Sequence, residues 1–214
     1  RMHRTCGCAP ATWPWPVRIR TFGAFDIERV GGTGQASRKE SRKPLDLLKL
    51  LVALGSDNVP VGRLCAALWP EASGDAARNS FDNTLHRLRK LLGGDGRVTL
   101  RAGCLSLDAA SCWTDVAALA DRLAAPPPVE RADDPSRVSA WIDGVLALYR
   151  GPFLDGEDEL PDVIVARERL QARVTRQVAA LGDQLEAANR HAQAVRLYQR
   201  LVEQQPLAED MVRR

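Results

Sequence analysis

Apolar and polar positions alternate in two short stretches near the start of the chain. Val17-Arg-Ile-Arg-Thr-Phe22 is the first, and Phe25 to Val30 repeats the signal after Gly23. A period of two is the mark of a half-buried strand. Gly31-Gly-Thr-Gly34 then imposes a turn or loop. From Pro44 the period becomes helical. Leu45, Leu48, Leu51, Val52 and Leu54 share one side, and Gly55 ends the segment. A second helix is expected over Val61–Leu68, with Leu64, Ala67 and Leu68 as its stripe and Pro70 after it. A third is expected over about 76–92, with Asp75 as N-cap and Gly93-Gly94 as stop. Phe81, Leu85, Leu88 and Leu92 fall within an arc of about 60° on it, which predicts a buried face. Arg97-Val-Thr-Leu-Arg101 and Cys104-Leu-Ser-Leu107, joined by Ala102-Gly103, read as a hairpin.

The second half reads as helices throughout. One opens at Cys112-Trp-Thr-Asp115 and runs to Leu123, before Ala125-Pro-Pro-Pro128 breaks it. Others are expected over 136–149, 162–189 and 192–203, with a further start at Leu207. Ala187, Ala194, Leu197, Tyr198 and Leu201, with Pro206 beyond them, have the spacing of a tetratricopeptide hairpin, in which small residues let two helices approach. One such hairpin cannot bury its own face, so truncation at the C-terminus is expected.

Composition changes this picture little. The chain has 214 residues, 45% hydrophobic and 27% charged, the balance of a globular protein. It has no apolar run long enough for a transmembrane or signal segment. Charge changes it more. Residues 17–103 carry 15 Lys/Arg against 9 Asp/Glu, and residues 104–214 carry 13 against 18. A basic first half joined to an acidic second half points to two modules with different partners, and phosphates suit the first. The expected layout is a tail or linker over 1–16, a first domain over 17–110 and a helical domain over 111–214. The chain begins at Arg1, which suggests a fragment.

The candidate chemistry lies on the third helix. Opposite its apolar stripe stand Asn79, Asn83, His86, Arg87 and Lys90, with Asp82 on the flank. Asn can pair with an adenine edge and Arg with a guanine edge, each through two bonds. Lys90 and His86 lack that fork and suit phosphates. Arg97 and Arg101 on the hairpin are placed to straddle a backbone. An ordinary solvated helix would mix Glu with Lys at i,i+4 on this face.

The order of strands, three helices and hairpin is that of an OmpR-type winged helix. Arg42-Lys-Pro-Leu-Asp-Leu-Leu48, Leu64-Cys-Ala-Ala-Leu-Trp-Pro70 and Arg78-Asn-Ser80 with Leu85-His-Arg-Leu-Arg-Lys-Leu-Leu92 resemble the DNA-binding half of SARP-like bacterial transcriptional activators. Tyr149-Arg-Gly-Pro-Phe-Leu154 and Ala166-Arg-Glu-Arg-Leu170 resemble the bacterial transcriptional activation domain that follows it. The resemblance covers residues 17–214. It implies a mainly α fold with small β-sheets, in which a winged helix-turn-helix precedes a tetratricopeptide-like all-α domain. It also implies a third helix in the major groove, a wing (about 97–107) on the minor groove or backbone, direct-repeat sites and recruitment of RNA polymerase. By position, Asn83, Thr84 and Arg87 match the family's groove-facing residues. The Gly31–Lys43 stretch is longer and more basic than a compact winged helix needs.

The expected partners are therefore double-stranded DNA and, through the helical half, RNA polymerase or a second copy. No membrane, small-molecule substrate or cofactor is expected. Catalysis is not expected either, because no nucleophile, base and orienting acid are spaced for it. Gly31-Gly-Thr-Gly34 lacks the Lys-Ser/Thr ending of a phosphate loop. Five cysteines at irregular spacing, with Cys6 and Cys8 too close for a zinc knuckle, read as free thiols in a reducing cytoplasm and not as a metal site. Asp155 to Glu159 reads as a solvated acidic loop. The competing reading is a helical interaction module of a larger signalling protein whose winged helix does not bind DNA.

Overall fold

A computed structural model of the protein describes residues 15–30, 42–126, 135–157 and 160–204. Strands β1 (Val17–Arg20) and β2 (Asp26–Arg29) are followed by helix α1 (Arg42–Ala53), strand β3 (Val59–Pro60), and helices α2 (Val61–Leu68) and α3 (Gly74–Leu92). A 3-10 turn at Asp95–Arg97 leads into β4 (Val98–Arg101) and β5 (Cys104–Leu107). Then come β6 (Cys112–Thr114), α4 (Asp115–Ala124), α5 (Pro135–Leu148), α6 (Pro161–Ala187) and α7 (His191–Gln204). The fold is mainly helical with two small sheets: a winged helix first, an all-α half second. The expectations for Cys6, Cys8, the Gly31–Ser41 stretch and the start at Leu207 fall outside the described residues, as do Asp158 and Glu159 of the acidic run.

One sheet has the order β2-β1-β6 and the other β3-β5-β4. β1 pairs antiparallel with β2, placing Ile19 opposite Ile27. It pairs parallel with β6, placing Val17 opposite Cys112. This corrects the helix expected at Cys112. The segment is held extended by the edge of β1, and Thr114 then turns from strand to cap, its hydroxyl accepting the Ala117 N–H at 3.2 Å. A smaller correction concerns α3. Ser73 takes the N-cap position and Asp75 lies inside the first turn, where its charge favours the helix dipole.

Helix α1 is buried on nearly every side. Its expected stripe packs inward, and so do Leu47, Leu50 and Lys49. The reason is tertiary: α2, α3 and α6 all pack against α1. Lys49 is tolerated there because its ammonium reaches Glu157 at 2.7 Å and lies over the Phe25 ring.

The seam between the halves is continuous. Phe22 is buried with its ring centroid 5.0 Å from Tyr149 and 6.2 Å from Phe153. The Leu154 N–H bonds the Thr21 carbonyl at 2.7 Å, and the Gly23 N–H bonds that of Pro152 at 2.9 Å. Gly151 lies so near the Gly23 Cα that a side chain would crowd it. The buried Asp115 carboxylate accepts from the Thr21 N–H (2.6 Å), the Phe22 N–H (2.9 Å) and the Thr21 hydroxyl (2.7 Å). Arg169 on α6 donates to the Ala53 carbonyl at the end of α1, and Arg63 pairs with Asp162. Arg167 braces the intervening loop through the carbonyls of Phe153, Leu154 and Glu157.

Candidate nucleic-acid interface

Helix α3 owes its placement to one greasy face and two good ends. Ala77, Phe81, Leu85, Leu88 and Leu92 are buried. Arg89 and Lys90 sit in the last turn, where cations oppose the dipole. Gly93 then takes the left-handed conformation (φ 87°), which lets the Gly94 N–H reach the Arg89 carbonyl at 2.9 Å.

The opposite face is open. Asn79, Asn83, His86, Arg87 and Lys90 are all exposed. Asp75 and Asp82 are exposed too; Asp82 accepts from Arg78 at 3.4 Å, one turn away. Arg78 in turn lies over the Phe81 ring. Thr84 departs from the expected set. It is buried, and its hydroxyl donates to the Ser80 carbonyl at 2.7 Å. With its hydroxyl proton given to its own helix and its side chain packed inward, Thr84 lies on the core side of α3.

The wing is the β4–β5 hairpin. Ala102 (φ 47°) and Gly103 (φ 74°) form its two-residue turn, the twist that suits adjacent antiparallel strands. Arg101 is exposed at the tip. Arg97 is half-buried at the base, where its carbonyl accepts the Asp108 N–H at 2.9 Å. The two arginines thus mark opposite ends of the wing's first strand.

Two further arginines fasten α3 in place. Arg29 on β2 donates to the Leu91 carbonyl at 3.0 Å, and Arg89 donates through Nε to the Val98 carbonyl at 3.1 Å. Lys43 joins the Leu68 carbonyl at 3.0 Å and lies over the Trp69 ring at the entrance to the turn before α3. Periodicity places Arg89 between the two faces of α3 and assigns it no task. Its role depends on the wing, which no local pattern brings near.

Among the described residues, three or more His, Cys, Asp or Glu side chains nowhere gather as metal ligands would, and no helix is long and apolar enough to cross a membrane. Cys65, Cys104 and Cys112 are free thiols, and burial pushes Cys112 up to about 11, which leaves it unreactive.

The helix face, the wing and the domain order together define the class: a winged helix joined to a helical half. The family model of the bacterial transcriptional activator domain matches residues 114–214. Mycobacterium tuberculosis EmbR, solved in complex with a low-affinity phosphopeptide, shares the fold with a TM-score of 0.65 at 22% identity. That match covers 90% of this chain and 51% of the EmbR chain, so the sequence spans about half the length of that relative. No curated protein matches the chain. Residues 114–214 thus match a bacterial transcriptional activator domain, and the fold over most of the chain is similar to that of EmbR. The matched domain is a transcriptional activator module and not a class of enzyme.

Proposed function

We propose that the protein is a sequence-specific, DNA-binding regulator of transcription that works in the cytoplasm and carries out no catalysis. Helix α3 enters the major groove, and the wing rests on the backbone or minor groove. The observation that carries this reading is the exposed face of α3: five side chains with base- or phosphate-pairing chemistry stand opposite a fully buried stripe. Asn79, Asn83 and Arg87 read bases, the asparagines favouring adenine and the arginine guanine. His86, Lys90, Arg97 and Arg101 hold phosphates. The helical half meets RNA polymerase or a second copy of the chain.

The test is a fluorescence-anisotropy titration of the protein with mixed genomic DNA fragments at two salt concentrations, alongside Arg87→Ala. Salt-sensitive binding that the variant loses is the expected result. No binding at low salt by a protein folded by circular dichroism would overturn the reading and leave the interaction module in its place.

A further inference from the structure

Arg89 is the residue of α3 that joins the helix to the wing. Its Nε–H points at the carbonyl of Val98, the first residue of β4, at 3.1 Å. The side chain is about three-quarters covered, and Asp95, in the turn between the two elements, lies 4.0 Å from the same nitrogen. Val98 is itself buried and opposes Leu107 in the hairpin register. The bond therefore grips the wing at its rigid root and not at its tip. On the other side of the helix end, Arg29 ties the Leu91 carbonyl to the first sheet. Between them the last turn of α3 is fixed to both sheets.

We propose that Arg89 is a positioning residue for DNA binding: its bond to the Val98 carbonyl sets the distance between wing and α3. This rests on the DNA-binding reading above. A protein that puts a helix in one groove and a hairpin on the neighbouring backbone must hold the two at the spacing of the duplex. A wing free to swing contacts the backbone only part of the time. The donor that matters is the Nε–H, not the positive charge.

That distinction fixes the experiment. Glutamine places an N–H donor at the position of the arginine Nε, without the charge. Methionine fills the same stem without any donor. Arg89→Gln and Arg89→Met are therefore equally neutral and differ in the bond. Amide hydrogen exchange on the DNA-free proteins, followed over the wing, is expected to be faster in Arg89→Met and close to wild type in Arg89→Gln. On a selected DNA site, hydroxyl-radical footprints are expected to keep the α3 protections in both variants and to lose the wing protections only in Arg89→Met. Affinity should fall about tenfold in Arg89→Met, the scale of one ordinary hydrogen bond, and less in Arg89→Gln. Equal weakening of both variants, with a salt slope reduced by about one, would assign Arg89 to a phosphate and overturn the proposal. Wild-type exchange in both variants would overturn it as well. If the wild-type protein binds no DNA at low salt, the DNA reading falls and the positioning role falls with it; the exchange comparison then still reports whether the brace exists.

Discussion

At the scale of single residues, the outward positions of α3 divide by what they can pair with. Arg87→Ala should cost about 1–3 kcal/mol against the preferred site and little against other sequences, since a two-bond contact to guanine is lost. Lys90→Ala should weaken binding to all sequences alike and lower the salt slope by about one unit. Competition titrations with specific and scrambled DNA separate the two outcomes; parallel losses would remove Arg87 from the base-reading set. Asp115 makes a residue-scale prediction of another kind. Burial holds its carboxyl above the ordinary 3.8, outweighing the hydrogen bonds it accepts. The folded protein thus binds this proton more tightly than the unfolded chain does. Its contribution to stability is full below pH 3.8 and declines as pH rises through the raised folded value. Asp115→Asn has no proton to lose, so urea melts should show the variant gaining on wild type as pH rises above 3.8. Asp115→Ala leaves two backbone N–H groups and a hydroxyl without their acceptor and should cost roughly 3 kcal/mol or more.

At the scale of elements, the long helices and the hairpin were legible because each repeats its signal over several turns or closes on a marked turn. The apolar arc of α3, its glycine stop and the Ala102-Gly103 turn all belong to that class. The short strands β3 and β6 were not legible. Two or three residues carry no period, and each is extended only because a distant strand offers it an edge. Thr84 is a related case: the family resemblance matches it to a groove-facing position, while the packing of α3 buries it and its own helix takes the hydroxyl proton. The helix pair α6–α7 shows a packing rule at work. Gly182 is buried beneath Tyr198, and a methyl there would run into the tyrosine hydroxyl and ring. Gly182→Ala should therefore destabilise the protein by about 1–3 kcal/mol, because a rigid aromatic has to move. Adding Tyr198→Leu should recover part of that loss, and a double-mutant cycle by urea denaturation measures the coupling. Additive losses would mean that the two helices do not meet at this point.

At the scale of the whole molecule, the change from a basic to an acidic half near residue 110 is a change of charge and not a mechanical joint. The strand that opens the winged helix has β2 on one side and β6 on the other, and β6 belongs to the segment that leads into the helical half. Phe22 is packed against Tyr149 and Phe153, and the backbone at Thr21 and Phe22 is held by Asp115. A winged helix cut after residue 110 would keep α1, α2, α3 and the wing. It would expose the Phe22 ring, one edge of β1 and the side of α1 that α6 covers. The segment 15–110 is therefore expected to melt at least about 10 °C below the full chain and less cooperatively, by circular dichroism. Extending it through α4 to residue 126 restores the β6 edge and the Asp115 carboxylate, and should recover part of the loss without the aromatic packing. If 15–110 melts with the full chain, the seam is ornamental and the halves are independent. If it does not, whatever docks on the helical half is presented at a fixed angle to α3, and contacts on one half are read by the other through packing alone.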